Sequence, residues 1–310
     1  MIVDYLKMNT TQIKRDAWLS SFAFLTVGAT FLLLALGGLV SSKGVGMAVP
    51  DWPTTFGYNM FTFPLSKMIG GIFYEHSHRL MGSLVGLLTI GLTLLIWLRE
   101  ERTWLKWLSV IALIAVILQG ILGGLRVVQI STAFAVAHGA FAHAFFALIV
   151  SIALFLTDFW RRPEADAPIE VNRSFKTLTI MTSVVIYLQL MLGAVYRHTG
   201  ELLWLHLFFA FVVTIMAFIL TDSVNKKING IVFIKRISVT LVALLVFQLF
   251  TGMGAFMMKL FSPERIEAPP LVIAMTLIHV LTGAILFAAS TALTLSVLRV
   301  TNSSPGTVSA

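Results

Sequence analysis

Residues 75–98 read EHSHRLMGSLVGLLTIGLTLLIWL, and no charged residue stands between Arg79 and Arg99. A run of about 20 apolar residues is long enough to cross the hydrocarbon core of a bilayer as an α-helix. One end of this run carries Glu75, His76, His78 and Arg79. Hydrocarbon offers an ionisable side chain no partner, so a histidine at the edge of such a run is a functional candidate.

The same kind of run recurs along the chain. With 77–98, the expected spans are residues 17–41, 105–126, 132–157, 176–196, 202–222, 236–258 and 270–298. Apolar residues make up 58% of the 310 and charged residues only 12%, the composition of an integral membrane protein. Barrel strands are shorter and alternate in polarity, so the predicted fold is all-α with eight transmembrane helices.

Placing the N-terminus in the cytoplasm leaves only Lys43, Lys67, Arg79, Arg126, Arg197, Lys259 and Arg265 outside and puts the other 15 of the 22 basic residues inside. That bias predicts a multi-pass protein of the cell membrane with both termini cytoplasmic. The net charge of +8 is spread over helix ends, which suits anionic lipid rather than nucleic acid. The first run is too long for a cleaved signal and lacks a clear small-residue cleavage site, so it reads as a retained anchor. With no cysteine in the chain, disulfides and thiolate-held clusters are excluded. A metal would have to be held by His, Met or carboxylate.

Three runs end on one pattern: Gln119-Gly-Ile-Leu-Gly123, Gln189-Leu-Met-Leu-Gly193 and Gln248-Leu-Phe-Thr-Gly252. The first run ends on Gly37-Gly38 without the glutamine. Gly123 and Gly252 are 129 residues apart, and His78 and His206 are 128 apart. These offsets predict a duplicated four-helix unit, and four spans return the chain to its starting side, so the copies are expected to be parallel. The expectation is two tandem, parallel four-helix bundles, 1–157 and 176–300. They are joined by a cytoplasmic linker, 158–175, containing Arg161, Arg162, Pro163 and Pro168. The polar tail 301–310 is predicted to be disordered. The glycines serve either close helix packing or room for a flat macrocycle.

His78, His138, His206 and His279 fall near matching ends of the second, fourth, sixth and eighth runs. His78 is expected to open its helix and His206 to lie in the first turns of its own. His138 and His279 lie roughly 9 and 14 Å along theirs. Facing histidines in a bundle can meet across a porphyrin iron, His78 with His138 and His206 with His279. A lone membrane histidine is more often a helix-to-helix hydrogen-bonding group, but four at repeat-equivalent positions argue for ligands. His76 points roughly 200° from His78, and His143 about 140° from His138, which leaves His143 as the one substitute for His138. His198 suits an interfacial role.

Glu75 precedes His78 by three residues and shares its face, where a carboxylate can stabilise positive charge, accept a proton or complement the helix dipole. Arg79, Arg126 and Arg197 can pair with heme propionates or with lipid phosphate and water. The loop 42–74 contains Pro50-Asp51-Trp52-Pro53-Thr54-Thr55-Phe56-Gly57, suited to a rigid interfacial cap. Its counterpart in the second half, 197–201, is too short to form one.

At these residues the chain resembles the heme A synthase family. The matching features are Gly38 through Gly46 followed by Pro50-Asp51-Trp52-Pro53, the Glu75-His-Ser-His78-Arg79 signature, His138 with Gly139, Gly193-Ala-Val-Tyr-Arg197-His198-Thr199, His206 and His279. The resemblance implies oxidation of the C8 methyl of heme O to a formyl group by successive hydroxylations, giving heme A for cytochrome oxidase. It implies that His78 and His138 hold the substrate heme with Glu75 beside the reacting methyl, and that His206 and His279 hold a heme b that passes electrons. Implied partners are heme O synthase, cytochrome oxidase assembly proteins and an electron donor that the sequence does not identify. Some members carry cysteine pairs in their outer loops, so no role of those cysteines operates here. The alternative is a diheme b-type electron carrier. A transporter of parallel repeats would place broken helices and polar groups at the midplane, whereas here the polar groups gather at one end.

Overall fold

The long helices are apolar around their whole circumference, which decides how they pack. Along residues 85–96, Val85, Thr89, Leu92 and Ile96 are buried at helical spacing, while Leu84, Leu87, Ile90 and Leu94 are exposed. One face meets other helices and the opposite face suits lipid. The computed structural model describes residues 2–161, 169–228, 230–261 and 269–302. The helices are α1 (Ile2–Ser42), α2 (Gly70–Arg99), α3 (Thr103–Val128), α4 (Thr132–Phe155), a short α5 (Asp158–Arg161), α6 (Arg173–Thr199), α7 (Leu203–Lys227), α8 (Val232–Phe261) and α9 (Pro270–Asn302). Eight are long and apolar enough to cross a membrane, as the runs predict, and the described residues contain no β-strand.

The chain divides into two units, Met1–Arg162 and Pro163–Ala310. In the first, α1 packs on α2, α2 on α3, α3 on α4, and α4 returns to α1. In the second, α6, α7, α8 and α9 close in the same cyclic order. Connections of three residues, 100–102, 129–131 and 200–202, force consecutive helices to lie antiparallel. The tightest is Gly200-Glu201-Leu202. Gly200 takes the left-handed conformation at φ 78° that ends α6, and Leu202 follows at φ 61° before α7, a conformation that strains a branched residue.

Several boundaries depart from the sequence expectation for identifiable reasons. α2 begins at Gly70 rather than 77, so Glu75, His76 and His78 lie within its second and third turns and His78 does not open it. Glu75 and His76 are buried and hydrogen bonded to the preceding loop, so their polarity does not stop the helix. α6 begins at Arg173, where the Asn172 side chain accepts the Phe175 N–H, as an N-cap should. α9 runs to Asn302 because Ile169 N–H donates to the Val300 carbonyl and Lys176 Nζ to that of Thr301. The expected linker 158–175 contains α5 and the start of α6. Residues 162–168 of it, and 303–310 of the expected tail, lie outside the described residues.

Each unit has its own polar clasp at the end away from its histidines. Thr93 Oγ1 donates to the Ser109 carbonyl at 3.1 Å between α2 and α3, and Thr221 Oγ1 donates to the Ser238 carbonyl at 3.0 Å between α7 and α8. The second unit adds a buried hydroxyl cluster, with Ser183 Oγ 2.7 Å from Ser290 Oγ and 2.9 Å from Thr294 Oγ1, while Thr294 donates to the Thr179 carbonyl. Where lipid removes the hydrophobic drive, such bonds hold helices at about 0.6–1.7 kcal/mol each. Ser183→Ala is expected to destabilise the second unit by about 1 kcal/mol, read as a shifted unfolding midpoint in mixed micelles.

Candidate functional site

Each of the four histidines lies against a glycine of the preceding long helix. A Cβ built on Gly37, Gly123, Gly193 or Gly252 would stand 2.8, 2.9, 3.0 or 2.7 Å from Cε1 of His78, His138, His206 or His279 respectively. The missing side chain is therefore the space the ring occupies. That seating brings the histidines together in pairs: the ring centres of His78 and His138 are 6.5 Å apart, and those of His206 and His279 are 6.4 Å apart. Metal–imidazole bonds of about 2.0–2.1 Å, plus about 1.1 Å from ring nitrogen to ring centre, place two rings sharing one metal about 6.3 Å apart. Both pairs match that span, so the residues present fit bis-histidine iron ligation. Among the described residues no group of three or more His, Asp or Glu gathers into a metal site.

The backbone holds the other ring nitrogen. His138 Nδ1 lies 3.1 Å from the Gln119 carbonyl and His279 Nδ1 3.1 Å from that of Gln248. The carbonyls of Leu33 and Gln189 act on His78 and His206 from longer range without closing to full hydrogen bonds. An N–H donated from Nδ1 fixes the tautomer and leaves Nε2 as the ligating atom. The glutamine side chains add a second restraint, with Gln119 Nε2 donating to the His138 carbonyl at 3.0 Å and Gln189 Nε2 to that of His206 at 2.8 Å. Gln248 differs, its Nε2 lying 3.3 Å from His279 Nε2. Oε1 of all three glutamines is buried without a protein partner. Such orphans are costly, and their gathering at the histidine seats suits a site shaped around a further group.

Over the first pair, residues 43–69 form the expected cap, and Arg79 is its fastening. Arg79 Nη1 donates to the carbonyls of Asp51 (2.6 Å) and Thr54 (3.1 Å), and Nη2 to the carbonyl of Val49 (2.7 Å) and to Glu75 Oε1 (2.8 Å). Glu75 Oε2 accepts the Val49 N–H at 2.8 Å. His76 turns away from the pair, as its register predicts, to meet Thr55 Oγ1 at 3.1 Å and the Phe63 ring. The Trp52 indole covers Gly124, where a Cβ would collide with its ring atoms. The cap thus reaches α3 one residue from the seat of His138.

The sequence-predicted residues therefore separate by role. Four of the five guanidinium N–H groups of Arg79 are committed to the loop and Glu75, which leaves little for a propionate. Arg126 lies against Gly46 of the cap, and its charge acts on both His78 and Glu75. Arg197, in the last turn of α6, acts on His279. His143 Nδ1 is 2.7 Å from the carbonyl of Gly139 in its own helix, and it is His138 that stands opposite His78. His198 lies half-buried in the last turn of α6. Sequence reading saw the glycines and glutamines but gave them no partners, and it assigned Trp52 only to a general cap.

Residues 20–208 match the model of the COX15-CtaA family, described as cytochrome oxidase assembly protein. The match takes in Glu75, His78, His138 and His206, and stops short of His279. The chain is similar to proteins named heme A synthase from Shouchella clausii (28% identical over 188 residues, 60% of this chain and 61% of that one). It is also similar to those from Alkalihalophilus pseudofirmus (31% over 186 residues, 58% and 60%) and an Exiguobacterium species (31% over 183 residues, 57% and 56%). It spans about three fifths of the length of these curated relatives.

Asp51 is an acid-sensitive joint of the cap. Partial burial works to raise the Asp51 carboxyl, but hydrogen bonds from Gly57 N–H, the Thr54 hydroxyl and Phe56 N–H outweigh it and bring the pKa from 3.8 to about 2. A depressed carboxylate stabilises the fold fully above its unfolded pKa and loses that contribution as pH falls through the folded value. Hydrogen exchange in residues 43–69 is therefore expected to accelerate between about pH 4 and about pH 2. Asp51→Asn is expected to show the faster exchange already at neutral pH.

Proposed function

The chain belongs to the cytochrome oxidase assembly protein family, and from that premise we propose that it is a heme A synthase, an oxidoreductase that converts the C8 methyl of heme O to a formyl group. The observation that carries this reading is the inequality of two otherwise matching histidine pairs. Each has the ring separation of an iron-binding pair, but among the described residues only the first lies beside a buried carboxylate and beneath a fastened loop.

In this reading residues 1–157 form the substrate half and 176–300 the electron-transfer half. His78 and His138 hold heme O, and His206 and His279 hold heme b. A heme b bound there supplies one-electron transfer. Glu75 is held by Val49 N–H and Arg79; in this reading its carboxyl group stabilises positive charge developing on the oxidised methyl and accepts a proton there. Arg79 keeps the loop closed through three carbonyls, which excludes bulk water and strengthens that electrostatic term. Arg126 and Arg197 pair with propionates, and Arg79 contributes its charge rather than its hydrogen bonds. The distribution of basic residues supports a cell-membrane location with both termini cytoplasmic. Its partners are a heme O-forming enzyme, proteins of oxidase assembly and an electron donor.

Co-expression with a heme O synthase, followed by extraction and chromatography of the hemes, tests the reading. Wild type is expected to yield heme A, and Glu75→Gln to lower the yield by about 100-fold or more while heme O remains bound. His206→Ala is expected to remove the heme b spectrum. Heme b as the sole pigment, unchanged when heme O is supplied, would replace this reading with a diheme electron carrier.

A further inference from the structure

The four histidines share one kind of seat but not one set of restraints. His138 is held twice by a single residue, its ring by the Gln119 carbonyl and its backbone carbonyl by Gln119 Nε2. His206 Nδ1 is, like that of His78, buried without a hydrogen bond, but its backbone carbonyl keeps the amide bond from Gln189, and the His279 ring keeps the Gln248 carbonyl and lies 3.4 Å from Thr251 Oγ1. His78 has neither. Its Nδ1 is buried without a hydrogen bond, and the residue four before its seat glycine is Leu33, whose side chain has no donor.

We propose that the first pair is unequal by construction: His138 is the fixed iron ligand and His78 an exchangeable one, so small neutral ligands reach the iron from the His78 side. This rests on the reading that the first unit binds a heme between these residues. A histidine whose other nitrogen donates to a carbonyl is a more basic and better oriented ligand. Turning the His138 ring aside breaks that bond, whereas turning His78 aside gives up only the longer-range pull of the Leu33 carbonyl and frees a buried N–H to find a partner. Beneath His78 the helix stays in place, because Glu75 and Arg79 on either side of it are tied to the cap. The position so vacated lies beside Glu75, on the face where the proposed chemistry takes place.

Carbon monoxide is the probe, added to the dithionite-reduced protein purified with its hemes from cells that make heme O. Wild type is expected to form a carbon monoxide adduct at one heme only. Leu33→Gln, which supplies the missing amide, is expected to slow adduct formation about 10-fold or more. Gln119→Leu, which loosens His138, is expected to speed it. The readouts are the visible spectrum and the binding rate, not turnover. Absence of an adduct in wild type, or an unchanged rate in either folded variant, would overturn the proposal. Failure of the underlying reading gives a different result: His138→Ala would then leave the heme content of the purified protein unchanged, instead of removing one heme.

Discussion

A bare helix surface opposite each histidine is the constraint on which the rest depends. An imidazole near the end of a membrane helix needs both room and a polar partner; a glycine in the neighbouring helix gives the room at all four seats and the partner at two. It removes the side chain that would strike Cε1, and at His138 and His279 the close approach brings a backbone carbonyl of the same helix to Nδ1. Where one nitrogen is held in this way, the other is left to the facing histidine and whatever stands between them. The 6.5 and 6.4 Å ring separations therefore follow from helix packing rather than from loops. An alanine at any of the four seats would alter ring position and helix spacing together.

The cap is built on a different economy. Backbone carbonyls in an irregular loop need donors wherever water is scarce, and one guanidinium supplies three of them while neutralising the carboxylate below. Placing Arg79 one turn after Glu75 makes this possible, because i and i+4 share a face. The same residues thus position the acid, close the loop and fix the start of α2. A substitution at Arg79 consequently opens the loop and removes the charge beside Glu75 together.

Much of this was legible in the residues. The eight spans follow from length and apolarity, and the spacing of Gly123 with Gly252 and of His78 with His206 points to the matching seats those histidines occupy. The pairing of His78 with His138 and of His206 with His279 follows from shared faces, and the structure brings those rings together. The start of α2 was not legible, because Glu75 and His76 look like a boundary when their loop partners are unknown. Nor was the role of Arg79, since the carbonyls it binds carry no residue signature and belong to a loop whose path the pattern does not fix. The Gln-Gly spacing was visible as a motif, yet its meaning needed the distance from amide to carbonyl. The absence of that glutamine before Gly37 became informative only once the other three had partners.

The clasp that recurs between Thr93 and Ser109 and between Thr221 and Ser238 has a consequence for how far each unit can vary. It occupies the end remote from the histidines, while the connections at the histidine end differ from 27 residues between α1 and α2 to three between α6 and α7. One mouth can therefore be rebuilt without disturbing the foundation of the unit beneath it.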